Sequence, residues 1–217
     1  MDDYFLLLIN GCHNTWLNSF MWHVTGTLPW LLFFASLLWI VVKNNGTKSA
    51  VVIILCIALM ILLTDQTCAT LLKPYFARLR PTHEPSLAGQ VQLVNGYMGG
   101  MYSFPSNHAA NTFAVATFMS LLVCHWRMSA VCFAWALLSC FSRVYLGVHY
   151  PSDILCGAML GALVGFSVGK LCVVATRKAQ VSRPHWYSTL YTSTGYPVDD
   201  IYVVSVAFVV TLVAMVF

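Results

Sequence analysis

Charged side chains are scarce in this sequence. Asp, Glu, Lys and Arg together make up 8% of its 217 residues, whereas hydrophobic types make up 59%. A water-soluble domain carries roughly 25% of its residues as charges, so the composition excludes one and indicates a helical membrane protein. The net charge of +4 is therefore no indication of nucleic-acid binding, because in a membrane protein the position of each cation matters more than the sum.

The sequence also lacks the cysteine spacing of a disulfide framework or a zinc site. It has eight cysteines, but no C-x-x-C pair, and most of them lie inside apolar segments. They are predicted to be small buried hydrophobic residues. The basic region that opens a cleaved signal peptide is missing as well, so we expect the internal spans to direct membrane insertion.

What the chain does contain is a series of apolar segments of membrane-helix length. A span needs about 20 mostly apolar residues, and about six candidates are present. They cover approximately residues 28–42, 49–72, 108–124, 128–146, 152–175 and 201–217. Residues 1–27 hold several polar side chains and are predicted to be an interfacial amphipathic segment, with a true span over 4–26 as the alternative.

The predicted fold is therefore all-α, a polytopic bundle with a membrane-embedded core over 28–175. A polar linker and a last apolar span follow over 176–217. The span at 152–175 carries Gly157, Gly161, Gly165 and Gly169 at a strict four-residue spacing. Such a face of small residues is typical of close contact between membrane helices, so we predict a packing role for it.

The basic residues fall into two groups along this bundle. Seven of the eleven lie in turns on one side, namely Lys43, Lys48, Arg127, Lys170, Arg177, Lys178 and Arg183. The positive-inside bias makes that side cytoplasmic. The other four, Lys73, Arg78, Arg80 and Arg143, lie on the opposite side together with His108, His149 and Asp153. We therefore predict an outward-facing site at the ends of the central helices.

The segment 142–153 places a guanidinium, an imidazole and a carboxylate at fixed offsets. Pro151 suits the first position of a helix, which puts Asp153 in the first turn, four residues after His149. A carboxylate there can fix the tautomer of the histidine and stabilise its cation. The alternative, a helix start with Asp153 at the positive end of the dipole and Arg143 as its partner, stays open at this point.

Two further polar segments, 73–81 and 105–108, are predicted to converge on the same side. Ser106 is placed to cap the helix that follows, and a capped helix N-terminus beside several cations forms a receptor for an oxyanion. Guanidinium groups match phosphate oxygens well. Two histidines on a phosphate suggest that His149 attacks while His108 gives its proton to the leaving oxygen.

This cluster has two alternative interpretations. His108, His149 and Asp153 are conceivable metal ligands, although the neighbouring cations would repel a metal ion. A patch that binds anionic lipid without catalysis would explain the cations, but it would not explain the pairing of His149 with Asp153.

These segments resemble the motifs of the type 2 phosphatidic acid phosphatases, which share a superfamily with the vanadium haloperoxidases. The matching motifs read Lys73-x6-Arg80-Pro81, Pro105-Ser106-Asn107-His108 and Ser142-Arg143-x5-His149-x3-Asp153. The resemblance covers roughly residues 25–175. The family usually has glycine where Asn107 stands, and because Asn tolerates unusual backbone angles, we expect altered fine positioning rather than lost activity.

The resemblance also implies roles for the matched residues. Phosphoryl oxygens would be held by Lys73, Arg80 and Arg143, assisted by Ser106 and the amide of Asn107. His149 would form a phosphohistidine, Asp153 would orient it, and His108 would act first as acid and then as base. The family needs no metal and no other cofactor.

The predicted function is hydrolysis of a lipid phosphate or diphosphate by a multi-pass protein of the bacterial inner membrane. The chain looks most like compact bacterial members, so undecaprenyl diphosphate is the predicted substrate, with undecaprenyl phosphate as product. The alternatives are phosphatidylglycerol phosphate, phosphatidic acid and lipid A phosphates, or a non-catalytic lipid-binding scaffold. The predicted partners are the lipid substrate and the bilayer, not nucleic acid, and the loop at 83–104 is a candidate lid or headgroup reader.

Overall fold

The named elements of the described chain are all helices, as predicted. The computed structural model describes residues 1–180 and 190–216, with the backbone alone at 177–180. The helices are α1 (Asp2–Asn10), α2 (Thr15–Thr25), α3 (Leu31–Asn44), α4 (Thr47–Gln66), α5 (Lys73–Phe76), α6 (Asn107–Val123), α7 (Trp126–Tyr145), α8 (Pro151–Gln180) and α9 (Val198–Val216). A 3₁₀ turn, Leu28–Trp30, precedes α3, and a π-helical turn, Thr67–Leu72, joins α4 to α5. The middle of the predicted linker, including Arg183, lies outside the described residues.

All six predicted spans coincide with helices, but their lengths differ. In the described ranges, four segments are long and apolar enough to cross a membrane: Thr47–Phe76, Trp126–Tyr145, Pro151–Thr176 and Val198–Val216. A fifth arises if α2 and Leu28–Asn44, which are bent by 70° at their junction, form one broken span. The helix α6 has 17 residues, about 25 Å of helix against a hydrocarbon layer of about 30 Å. The chain is an integral membrane protein, with four or five spans by the length criterion.

The short helix α6 lies at the centre of the bundle, between α4, α7 and α8, and its contact with α8 is the most extensive. The glycine stripe of α8 makes that contact possible. A Cβ atom at Gly161 would overlap the carbonyl oxygen of Ala110, and one at Gly157 would lie 2.5 Å from the carbonyl oxygen of Ser106. The predicted packing role of the stripe is confirmed, and it brings the starts of α6 and α8 together.

Gly161→Ala is expected to destabilise the protein, because the added methyl group would overlap the backbone of α6 rather than a side chain that can turn away. Overpacking of this kind costs about 1–3 kcal/mol, so the thermal unfolding midpoint of detergent-purified protein should fall. Gly46→Ala is the matched control, since nothing lies within 4 Å of the Cβ position there. Equal melting of the two variants would contradict the close helix contact.

The N-terminal segment folds into α1 and α2, which cover one end of the bundle. The first packs against α7 and α8, and the second packs against α7. The buried amide of Asn10 donates hydrogen bonds to the carbonyl of Tyr145 at 2.8 Å and to that of Gln92 at 3.0 Å. These bonds hold α1 to the end of α7 and to the long loop after α5. The interfacial position of residues 1–27, and the division of the chain at 27 and 175, stay predictions.

The long loop between α5 and α6 is closed by hydrogen bonds between its two ends. The amide of Arg80 donates to the carbonyl of Met101, and the amide of Ser103 donates to that of Arg78, both at 2.9 Å. The loop therefore doubles back over the end of the bundle where α6 and α8 begin. Its role as a lid or headgroup reader stays a prediction.

Candidate active site

The residues predicted for the site meet at one end of the bundle. They are Lys73 at the start of α5, Arg80 in the next loop, Ser106 as N-cap of α6, Asn107 and His108 in its first turn, Arg143 in the last turn of α7, His149 between α7 and α8, and Asp153 in the first turn of α8. Both imidazoles interact electrostatically with all three cations of this set. Three segments that are distant in sequence thus form one cluster.

His149 is buried directly beside Asp153. Its Nδ1 atom lies 3.5 Å from Asp153 Oδ2 and makes no hydrogen bond within the described residues. The two side chains are thus neighbours, but the distance between them is longer than that of a good hydrogen bond. Such long distances are common in active sites before a substrate binds. Burial, followed by the charges of Arg80 and Arg143, lowers the pKa of His149 well below its usual value. The ring is therefore neutral at neutral pH, which is the nucleophilic form.

The carboxylate of Asp153 is fixed by two other donors. Arg78 Nη1 donates to Oδ1 at 2.8 Å, and the Tyr150 amide donates to Oδ2 at 2.8 Å. Arg78 also forms an ion pair with Asp2 at 2.7 Å, and the Ser152 hydroxyl donates to the same Asp2 carboxylate. The N-terminal helix therefore takes part in holding Asp153.

This ion-pair network corrects one interpretation and adds two residues. The guanidinium that pairs with Asp153 belongs to Arg78, so the alternative pairing with Arg143 is wrong. The sequence pattern places Arg78 among the outer cations, two residues before Arg80, but indicates no role for it. Asp2 has no sequence signal, because nothing in the sequence links the first residues to a helix that starts about 150 positions later.

The other cations of the site, Lys73, Arg80 and Arg143, have no carboxylate partner among the described residues. Arg143 is 2% exposed, and its Nε atom has no hydrogen-bond partner in the described chain. Its other nitrogens donate to the hydroxyls of Thr25 at 2.6 Å and Tyr97 at 3.3 Å. Arg80 and Arg143 are buried, and buried charge without a counter-ion is costly, so this arrangement is suited to an anion; that it binds phosphate stays a prediction.

The guanidinium of Arg80 is held by backbone atoms. It donates to the carbonyl of Tyr102 at 3.2 Å and to that of Val148 at 3.3 Å. It lies against Gly99, which has φ +71°, and a Cβ atom there would be 2.6 Å from Arg80 Nη1. Burial and the nearby charge of Arg143 lower the pKa of Arg80 to about 10, so the side chain is still cationic at neutral pH. Because Gly99 has no side chain, the loop backbone can lie directly against the Arg80 guanidinium.

The N-terminus of α6 belongs to the same cluster. Ser106 caps it as predicted, since its hydroxyl accepts from the Ala109 amide at 3.4 Å, and its own amide donates to the Asp153 carbonyl at 3.1 Å. The amides of Asn107 and His108 have no acceptor within the helix and lie at the positive end of its dipole. The side chain of Asn107 donates to Asp65 Oδ1 at 2.7 Å. Sequence reasoning gave Asp65 no role; the signal that was available is an acidic residue inside an apolar span.

An apolar cavity of about 640 Å³ reaches this cluster at His108. It lies between α2, α3, α4, α6 and α7. Its polar lining includes Thr25, Asp65, Asn107, His108 and Asn111, and its apolar lining includes Trp30, Phe34, Leu37, Ile57, Val115 and Met119. One imidazole of the site therefore borders a space that suits a hydrocarbon chain.

The metal interpretation of the cluster gains no support from the geometry. Among the described residues, no group of three or more His, Cys, Asp or Glu side chains is arranged to hold a metal ion. The carboxylate of Asp153 is already engaged by Arg78 and a backbone amide. Metal independence itself stays a prediction.

Comparison with known proteins places this chain in a family. A model of the PAP2 superfamily matches residues 49–179. The chain is 37% identical over 185 residues to the lipid A 4'-phosphatase of Bacteroides thetaiotaomicron, covering 85% of this chain and 82% of the relative. It is 32% identical over 186 residues to the protein of that name from Porphyromonas gingivalis, covering 85% and 79%.

One solved structure and one shorter sequence match are also similar to this chain. The crystal structure of Aquifex aeolicus LpxE is similar with a TM-score of 0.57 and 28% identity, over 77% of this chain and 93% of that chain. The undecaprenyl-diphosphatase of Sulfolobus acidocaldarius is 37% identical over 67 residues, which is 30% of this chain and 31% of the relative. Because the family model covers more than half of the sequence and two relatives cover most of it, the chain belongs to the PAP2 superfamily and is a membrane lipid phosphatase.

Proposed function

We propose that this enzyme removes a phosphate group from the sugar of a lipid A-type saccharolipid at the outer face of a bacterial inner membrane. The supporting observation is that two imidazoles lie among three cations without carboxylate partners, and that one of them, His108, also borders an apolar cavity. The cations would bind the phosphoryl oxygens, and the cavity would accept an acyl chain of the same molecule. Two relatives that match 85% of this chain carry lipid A in their names.

In the first step, His149 is the nucleophile. Its Nδ1 faces Asp153, so Nε2 is the atom left to bond to phosphorus. As that bond forms, the bond from phosphorus to the ester oxygen breaks, and the oxygen takes its electron pair and the proton of His108. Lys73, Arg80 and Arg143, with the amides of Asn107 and His108, would stabilise the charge on the phosphoryl oxygens.

In the second step, the phosphohistidine is hydrolysed. His108, now without its proton, accepts one from a water molecule that attacks phosphorus. The phosphorus–nitrogen bond breaks, its electron pair returns to His149, and inorganic phosphate leaves. Asp153 stabilises the positive charge on the imidazole while it is phosphorylated, which is the orienting role implied by the family resemblance.

Undecaprenyl diphosphate, the substrate predicted from the sequence, is the alternative. The number of cations exceeds what one monoester demands, which favours a second anionic group. The relative named for that activity aligns with only 30% of this chain, however, so we place the saccharolipid first. A non-catalytic scaffold is disfavoured by the full set of motif residues at one site.

A substrate panel tests this assignment. Detergent-purified enzyme would be given tetraacylated lipid A, phosphatidylglycerol phosphate, phosphatidic acid and farnesyl diphosphate, and released phosphate would be measured. We expect kcat/KM for lipid A to exceed the others at least about tenfold, or about 1.4 kcal/mol in transition-state binding, with the sugar 4'-phosphate removed. A tenfold preference for the diphosphate would reject the saccharolipid, and no release from any substrate would support the scaffold.

The outward-facing topology is tested by thiol labelling. Ser86 is exposed in the loop at the site end, and Cys124 is exposed at the other end of α6. In a Cys12→Ser background, one variant would carry Ser86→Cys with Cys124→Ser, and the other would keep Cys124. An impermeant thiol reagent should label Ser86→Cys in cells whose outer membrane alone is permeabilised, and Cys124 only after lysis. The opposite pattern would show that the site faces the cytoplasm.

A further inference from the structure

An acidic side chain lies inside an otherwise apolar membrane segment. Asp65 is the sole acidic residue of the segment Thr47–Phe76. Ionisable groups within membrane spans are costly, and they usually mark a substrate pathway or a binding site. The helix turns π-helical directly after this position, at Thr67, and such turns are frequent at functional sites. Asp65 therefore requires an explanation beyond packing.

The carboxylate of Asp65 is held in place by one hydrogen bond, and it interacts electrostatically with Lys73 without forming a salt bridge. Its Oδ1 accepts from Asn107 Nδ2 at 2.7 Å, while its Oδ2 makes no hydrogen bond and the residue forms no salt bridge within the described chain. One turn further along α6, Asn111 accepts from the Thr64 hydroxyl at 2.5 Å. These two bonds fix α4 against α6, so Oδ2 is left as a positioned acceptor.

This acceptor lies in the cavity wall together with His108. In the proposed mechanism His108 gives its proton to the leaving oxygen, so the carbon skeleton bonded to that oxygen must begin at the same wall. The apolar part of the cavity lies beyond it. The first atoms of the leaving alcohol would therefore pass Asp65 before the hydrocarbon chain begins.

We infer that Asp65 is a specificity-determining residue that accepts a hydrogen bond from a hydroxyl or N–H group of the leaving alcohol, with Asn107 as its positioning residue. This inference rests on the proposed function. A sugar leaving group supplies such donors next to the phosphate ester, whereas a prenyl alcohol has none. A diphosphate would place a second phosphate at this wall, where the carboxylate would repel it. The Asn107 side chain, absent in relatives with glycine at this position, is what holds the acceptor in place.

The test compares two substrates that differ in donors on the leaving group, tetraacylated lipid A and farnesyl phosphate. Asp65→Ala should lower kcat/KM for lipid A on the order of 10- to 100-fold, the range for a hydrogen bond to a charged group, without a loss for farnesyl phosphate. Asp65→Asn keeps an acceptor oxygen, so kcat/KM for lipid A should fall less than in Asp65→Ala. Asp199→Ala, which removes an exposed carboxylate from the first turn of α9, is the matched control and should change neither value.

A second arm tests the role of Asn107. Asn107→Gly should lower the ratio of the two kcat/KM values, and combining it with Asp65→Ala should lower that ratio no further, because both changes act through one carboxylate. An equal loss on both substrates, or no loss on either, would overturn the inference. If Asp65→Ala fails to fold, an unchanged ratio in Asp65→Asn would overturn it as well. If the native enzyme preferred farnesyl phosphate, the proposed function would be rejected. The inference about Asp65 is judged separately, by how its substitution changes the ratio of the two kcat/KM values.

Discussion

His149→Ala should abolish phosphate release, with any residual rate at least about 10⁴-fold below that of the native enzyme, as for loss of a nucleophile elsewhere. The reason is that, among the described histidines, His149 is the one within 4 Å of a carboxylate, that of Asp153, which can stabilise a phosphorylated, positively charged imidazole. His108 is the one other imidazole that interacts with the same cations, and it borders the cavity, where it serves the leaving oxygen. Radiolabelled lipid substrate should leave an acid-labile, base-stable label on the native protein and none on the variant.

The controls separate loss of the nucleophile from loss of structure or of a metal. His23→Ala removes an exposed histidine of α2 and should keep the native rate and the label. EDTA should leave the native rate unchanged, because the predicted mechanism assigns the phosphoryl charge to guanidinium and ammonium groups. A rate that is lost with EDTA and restored by a divalent ion would contradict that mechanism.

Asp153→Asn should reduce kcat by about 10⁴-fold, the loss observed when the carboxylate behind a catalytic histidine is replaced by an amide in a serine protease. The carboxylate is fully buried, and it lies 3.5 Å from His149 Nδ1. An amide there would no longer stabilise a phosphorylated, positively charged imidazole. It would also turn an N–H group toward Arg78 or toward the Tyr150 amide, both of which now donate to the carboxylate.

Two further variants show whether this loss is chemical. Arg78→Ala removes one donor to Asp153 but leaves the carboxylate charge of Asp153 and its bond from the Tyr150 amide, so we expect a smaller loss of kcat than for Asp153→Asn. Asp2→Asn weakens only the ion pair between Asp2 and Arg78, so its loss of kcat should be smaller still. Thermal unfolding of each variant must be measured, because a graded loss of kcat that followed the melting temperature would mean that Asp153 acts through stability alone.

Asn107 stands where the family usually has glycine, and the structure gives this difference a physical reason. In the sequence it was an exception at which we expected a change of fine positioning. In the structure its side chain has a specific partner, Asp65, on a neighbouring helix. The departure and the acidic residue in an apolar span are therefore linked, since an amide at this position supplies the hydrogen bond that a glycine cannot.

Much of this molecule could be predicted from local sequence. Hydrophobic runs predicted the helices of the bundle. A membrane span must satisfy its backbone hydrogen bonds within the segment and carry apolar side chains, and a helix does both. Short-range spacing predicted the Ser106 cap and the neighbourhood of His149 and Asp153, because Pro151 starts a helix and places Asp153 in its first turn, close to the residues just before it. The regular glycine spacing likewise predicted a packing face, which the contact between α6 and α8 confirms.

Tertiary structure alone decided the contacts between segments that are far apart in the chain. Asp2 pairs with Arg78 and Ser152, Asp65 pairs with Asn107, and Thr25 binds Arg143. None of these pairs has a sequence signal, because each depends on how the helices are packed and rotated against one another. The cavity beside His108 has the same origin, since its walls come from five helices. Periodicity determines which side of a helix is apolar, but only packing determines which polar group that helix meets.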